Sequence, residues 1–202
     1  RTTDCDQKCI AGTYLSDTTT ATNHDAPNDC TACSGGEYQD QTGQNSCKKC
    51  AAGLYSNEGE GQTTNVCNLK CSTGKYSTNT GLSSDNECTP CEPGRYSNIE
   101  GLASSCSICA DGEYQDQSGQ TTCFQCKKGT FLKDTVNGGD PENHDDVDRC
   151  LPCEKSHFQN EMGKDSCKSC DTVQRGYITT ANIGVTNHDG EEDCIPPPTT
   201  NN

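Results

Sequence analysis

The sequence predicts a small disulfide-rich fold: an elongated rod of tandem cysteine-loop modules with short β-hairpins, little helix and no single hydrophobic core. Three observations carry this. The chain holds 19 cysteines in 202 residues, only 28% of its residues are hydrophobic, and its cysteines recur with one signature. A chain of ordinary composition and this length buries one sizeable core. Here Trp is absent and Phe occurs three times, so the side chains for such a core are missing. With so few apolar residues and a formal net charge of −15, composition alone points to an unfolded chain. Crosslinks reverse that expectation, because loop closure removes freedom from the unfolded state. They also place the protein in an oxidising compartment, outside the cell.

The cysteines come as C-x-x-C pairs: Cys30/Cys33, Cys47/Cys50, Cys88/Cys91, Cys106/Cys109, Cys123/Cys126, Cys150/Cys153 and Cys167/Cys170. Cys5/Cys9 and Cys67/Cys71 are the same pair with one extra residue. After the second cysteine comes C-x-x-G-x-[YF], as in Cys33-Ser34-Gly35-Gly36-Glu37-Tyr38. It recurs at Cys9…Gly12…Tyr14, Cys50…Gly53…Tyr55, Cys71…Gly74…Tyr76, Cys91…Gly94…Tyr96, Cys109…Gly112…Tyr114 and Cys126…Gly129…Phe131. Two copies depart: Ser156 stands in the glycine slot before Phe158, and Cys170 reaches Gly176-Tyr177 after two inserted residues. Every Tyr in the chain occupies this aromatic slot.

A second glycine follows the aromatic by five residues at Gly43, Gly81, Gly101, Gly119 and Gly163. The unit this describes is a short strand through the aromatic, a glycine turn, and a return to the next cysteine. Each module then has a core of one ring and one or two disulfides, the ring lying across an adjacent bridge or the next module. The organisation read from the sequence is a lead-in over 1–4, nine modules over 5–194, and a Pro/Thr-rich linker over 195–202.

Two pairing schemes fit the spacing. The first joins the second cysteine of each pair to the first of the next: Cys9–Cys30, Cys33–Cys47, Cys50–Cys67, Cys71–Cys88, Cys91–Cys106, Cys109–Cys123, Cys126–Cys150, Cys153–Cys167 and Cys170–Cys194. It closes every aromatic-bearing loop, each loop contributing on the order of 3 kcal/mol, and leaves Cys5 for a partner upstream. The rival ladder joins first to first and second to second, and strands Cys170. Zinc ribbons also use C-x-x-C pairs, but nine successive pairs at short intervals, each followed by the same Gly-aromatic signature, fit zinc poorly.

These repeats, C-x-x-G-x-[YF]…C-x-x-C from Cys5 to Cys194, resemble the ephrin-receptor-like cysteine-rich repeats. Each loop is also similar to the smallest loop module of TNF-receptor ectodomains. The resemblance implies an elongated extracellular array with little regular secondary structure. Such repeats occur in receptor ectodomains and in surface proteins of protists and algae, including those similar to mastigoneme subunits.

Three spacers are longer and share an insert. They read Asn23-His24-Asp25…Cys30, Asn143-His144-Asp145…Cys150 and Asn187-His188-Asp189…Cys194, with the Asn seven residues before the cysteine each time. A shared offset means a defined conformation. One reading is a Ca²⁺ site, with Asn23, Asp25, Asn143, Asp145, Asn187 and Asp189 supplying hard oxygen ligands. The other is an Asx-turn or helix-type cap, in which the same side chains bond nearby backbone. On either reading the three histidines are packed or hydrogen-bonded turn residues, and these loops are candidate lateral contacts.

No other cofactor is implied. The acidic balance excludes nucleic acid and anionic membrane surfaces as partners, and no apolar run is long enough for membrane insertion. The chain starts at Arg1 without an initiator Met, as a processed protein or a fragment of a longer one does. No N-x-[ST] acceptor occurs. Thr18, Thr19, Thr20, Thr199 and Thr200 are candidate O-glycosylation positions, and Ile195-Pro196-Pro197-Pro198 reads as an extended polyproline II spacer. With bridged thiols, no Ser/His/Asp or Cys/His arrangement survives, so no enzyme activity is expected. The function expected is a structural repeat protein that self-associates into a homopolymeric fibre, filament or surface coat, with glycans as further partners. The alternative is a receptor-like ectodomain that binds a protein ligand.

Overall fold

The computed structural model describes residues 8–16, 29–134, 139–176, 178 and 188–196. The chain divides into two units, Arg1–Pro90 with Ile99–Ser105 and Cys91–Asn98 with Cys106–Asn202. Each repeats one local plan. The described residues contain no α-helix, only two-residue strands and short 3₁₀ turns.

Nine disulfides close the modules: Cys9–Cys30, Cys33–Cys47, Cys50–Cys67 and Cys71–Cys88 in the first unit, and Cys91–Cys106, Cys109–Cys123, Cys126–Cys150, Cys153–Cys167 and Cys170–Cys194 in the second. Cys5 lies outside the described residues. Apart from Leu82, Leu132 and Phe158, every buried apolar residue among those described is a half-cystine. Sulfur takes the place of a hydrocarbon interior.

The strand through the aromatic pairs with the two residues inside the next C-x-x-C. Thr13–Tyr14 pairs with Thr31–Ala32, Glu37–Tyr38 with Lys48–Lys49, Leu54–Tyr55 with Leu69–Lys70, and Lys75–Tyr76 with Thr89–Pro90. In the second unit Arg95–Tyr96 pairs with Ser107–Ile108, Glu113–Tyr114 with Phe124–Gln125, Thr130–Phe131 with Leu151–Pro152, and His157–Phe158 with Lys168–Ser169. The sequence expectation placed the return strand before the closing cysteine; it comes after it. The reason is local. The glycine carbonyl of one module accepts the N–H of the cysteine that opens the next, as from Cys33 to Gly12 at 3.0 Å and from Cys126 to Gly112 at 2.8 Å. That bond, with the bridge itself, pins both ends of the ladder.

The stretch between aromatic and closing cysteine bonds neighbouring modules instead. The N–H after the aromatic donates to a carbonyl of the next module: Gln39 to Gln62, Ser56 to Leu82 and Ser77 to Leu102 in the first unit. In the second, Ser97 donates to Gln120, Leu132 to Lys164 and Gln159 to His188. The rings follow the same direction. Tyr55 packs against Leu82 and the Cys71–Cys88 bridge of the next module. Phe158, 1% exposed, clusters with Cys170 and Cys194 of the next module.

Backbone modules meet closely enough that glycine is required. Gly53 has φ +75°, and a Cβ there would stand 2.3 Å from the carbonyl oxygen of Gly101. Gly61 has the same φ of +75° but open space around its Cβ position. In the glycine slot before Phe158, Ser156 itself adopts φ 67°.

The residue after the aromatic tracks loop length. In the loops of separation 14 it is Gln39, Gln115 or Gln159, each at most 3% exposed. Its Nε2 donates to the carbonyl before the closing cysteine, Gln115 to Thr122 and Gln159 to Ser166 at 2.7 Å. Its Oε1 accepts the N–H two residues on, Gln117 to Gln115 at 3.0 Å. In the loops of separation 15 to 17 it is a buried Ser56, Ser77 or Ser97. In the longer loops it is Leu15, Leu132 or Ile178. A long buried amide spans a tight loop; a hydroxyl serves a looser one; a long loop brings its own filling.

Two outcomes follow for variants of the full chain. Gly61→Ala should cost about 1–2 kcal/mol, the strain of a left-handed alanine, whereas Gly53→Ala adds a clash with rigid backbone and should cost several-fold more in denaturant unfolding. Equal costs would contradict the close approach. Gln115→Leu leaves the Thr122 carbonyl and the Gln117 N–H without their partners, at about 2 kcal/mol. Exchange of the Gln117 amide should then quicken by roughly 30-fold.

Candidate functional site

The Asn-His-Asp loops carry the residues that the sequence marks for binding. In the second, Asp140 caps the 3₁₀ turn Pro141–Asn143 by accepting the Glu142 N–H, and Asp146 caps Val147–Arg149 by accepting from Asp148. Pro141 suits the first position, where no N–H is needed. The Asn143 side-chain amide donates to Asp134 Oδ1 at 3.1 Å, and the Asp145 carboxylate accepts from Arg149 Nε at 2.9 Å. That carboxylate pushes the Arg149 guanidinium up. Asn143 and Asp145 are thus held by different partners. Among the described residues no group of three His, Cys, Asp or Glu side chains comes together as metal ligands. Asp189 of the third loop is half-buried; Asn23, Asp25 and Asn187 lie outside the described residues, as do Thr18, Thr19, Thr20, Thr199 and Thr200.

His144 and His188 are each 1% exposed. His144 Nδ1 donates to the Glu113 carbonyl at 2.8 Å while its own carbonyl accepts the Gln115 N–H at 2.8 Å. His188 repeats this on His157 at 2.8 Å and Gln159 at 2.7 Å. The two bonds flank the aromatic residue of the preceding module, Tyr114 or Phe158. In the shorter modules the residue after the second glycine supplies that carbonyl, as Gln62 does for Gln39. Histidine therefore takes over a backbone seat and adds a side-chain bond to it. At His144 and His188 the loops act as clasps, held by docking on the preceding module.

Asp134 organises the second clasp. Its carboxylate receives the Asn143 amide and the Asp140 N–H and faces His144 Nε2 at 3.4 Å, while its N–H donates to Asp111 at 2.9 Å. The sequence reading passed over Asp134. Its signal is the shared run Tyr14-Leu15-Ser16-Asp17-Thr18 and Phe131-Leu132-Lys133-Asp134-Thr135, which opens the first two long loops. In the third, Thr180 stands at that offset, and His188 Nε2 is buried without a hydrogen-bond partner.

Among the remaining charges, Glu161 and Asp40 are exposed. Lys164 and, after it, Lys168 hold the Glu161 carboxyl down to about 2, and Lys48 holds Asp40 below its ordinary value. Both are solvent-screened pairs that fasten a loop to its own strand. Neither carboxylate is desolvated. No helix among the described residues is long and apolar enough to cross a membrane. Ile195, grouped in the sequence reading with the linker, exchanges backbone bonds with Ile178 at 2.8 and 2.9 Å and so pairs with the last module.

Residues 94–136 match the family model for tyrosine-protein kinase ephrin type A/B receptor-like repeats. The human signal peptide, CUB and EGF-like domain-containing protein 2 is 32% identical over 108 residues, which are 54% of this chain and 10% of that protein. The chain thus spans about a tenth of the length of the curated relative it matches. Residues 94–136 are thus similar to an ephrin-receptor-like repeat, and the disulfide-closed modules form a small cysteine-rich tandem-repeat fold of the extracellular type.

Proposed function

We propose that the chain is a structural segment of a self-assembling extracellular fibre, filament or coat, without catalytic activity. The observation that supports this most is where its few large apolar side chains go. The rings of Tyr55 and Phe158 pack on neighbouring bridges. Yet Ile10 is 70% exposed, Ile99 58%, Leu151 53%, Met162 50% and Phe124 49%. A chain this poor in hydrophobic residues leaves them outside where contacts with other copies bury them. The repeated plan supports the same reading, since identical modules present identical edges at regular intervals.

A receptor-like ectodomain is the second reading, favoured by the description of the matched family. The two differ in what the pure chain does alone. Oxidised, full-length protein examined by light scattering and negative-stain electron microscopy should form regular homopolymers as its concentration rises. A monodisperse monomer at every concentration reached would leave the receptor reading standing.

A further inference from the structure

Exposed apolar residues gather at one place in the second unit. Phe124 and Val147 are 49% and 44% exposed. Phe124 leans on Tyr114, ring centroids 5.7 Å apart and planes 44° tilted. Tyr114, Val147 and Pro152 in turn line a groove of about 380 Å³ that Lys127, Thr130 and Asp148 complete. The strip from Phe124 to Pro152 is therefore continuous. Beside it stand Lys127 and Lys128, both exposed and, among the described residues, in no ion pair. Uncommitted cations are notable in a chain of net charge −15.

The same unit presents a segment of opposite character. Glu191 and Glu192 open the 3₁₀ turn Glu191–Asp193, are exposed, and make no ion pair among the described residues. Ile195, 39% exposed, and exposed Pro196 follow, with Pro197 and Pro198 next in sequence. Proline has no N–H to offer and a fixed φ, so a segment that carries one seats in an aromatic-lined groove at reduced ordering cost.

The geometry points to one contact: the groove at Tyr114, Val147 and Pro152, with Phe124 beside it, docks the Glu191–Pro196 segment of a second copy of this chain. Glu191 and Glu192 meet Lys127 and Lys128, and Ile195 and Pro196 cover the apolar floor. Because groove and segment are different surfaces of one chain, the contact is head-to-tail and propagates. It rests on the self-assembly reading and names the surface responsible.

Sedimentation of the full oxidised chain at low salt tests it. K127E/K128E and E191K/E192K should each weaken association by about tenfold or more, and Phe124→Ser should do the same without a change of charge. An equimolar mixture of the two charge variants restores every pairing and should return association to the wild-type level. Wild-type association that none of the three variants alters would remove this surface but keep self-assembly. A wild-type chain that stays monomeric at millimolar concentration would remove both. A monomer in which E191K/E192K shifts the Phe124 and Val147 resonances would place the segment on its own groove, and overturn the contact between copies.

Discussion

One constraint underlies the molecule: each loop of the chain is closed by a disulfide, and the aromatic residue inside that loop is available to cover a neighbouring bridge. Where a globular domain excludes water with many side chains, this one uses a pair of sulfurs and a ring. Cys33, Cys50, Cys71, Cys91, Cys126, Cys153 and Cys170 are fully buried. All of them open a module, and the N–H groups of Cys33, Cys50, Cys71, Cys126, Cys153 and Cys170 are tied back to the preceding module, as Cys71 is to Gly53 and Cys153 to Gly129. The covalent bridge fixes a loop; the backbone bond fixes the loop to its neighbour.

From that constraint the rest of the local plan follows. A loop clamped at both ends has a fixed interior, which the residue after the aromatic must satisfy. Glutamine reaches across the tight loops, serine turns the intermediate ones, and leucine or isoleucine sits in the long ones. In every module but the last, the docking carbonyl is delivered to the N–H after the aromatic by the residue after a glycine or by a histidine within an insert. Long loops are therefore variants of the common joint. His144 and His188 add a second bond across it, on either side of an aromatic strand.

Much of the fold was legible because cysteine spacing and a single aromatic slot leave little freedom. Fold class and repeat needed no more than Cys33-Ser34-Gly35-Gly36-Glu37-Tyr38 and its copies. The position of the return strand was not legible. Residues such as Lys48-Lys49 and Thr89-Pro90 have no strand pattern, and only the cysteines on either side place them opposite an aromatic. The site was harder. Asn143 and Asp145 look like a ligand pair in sequence, but one turns to Asp134 and the other to Arg149. Those partners are set by the docking of the loop on Glu113 and Gln115, which no local pattern reveals.

If sulfur bridges stand in for a hydrophobic interior, removing them must remove the structure, module bonds included. The most direct measurement is amide hydrogen exchange on the full chain, oxidised and then reduced and alkylated. The account predicts that the N–H groups of Cys33, Cys71 and Cys126, bonded to glycine carbonyls of the preceding module, are protected when oxidised and exchange at unfolded-chain rates once reduced. Protection at those amides that outlasts reduction would show that something other than the bridges holds the fold, and would contradict the account.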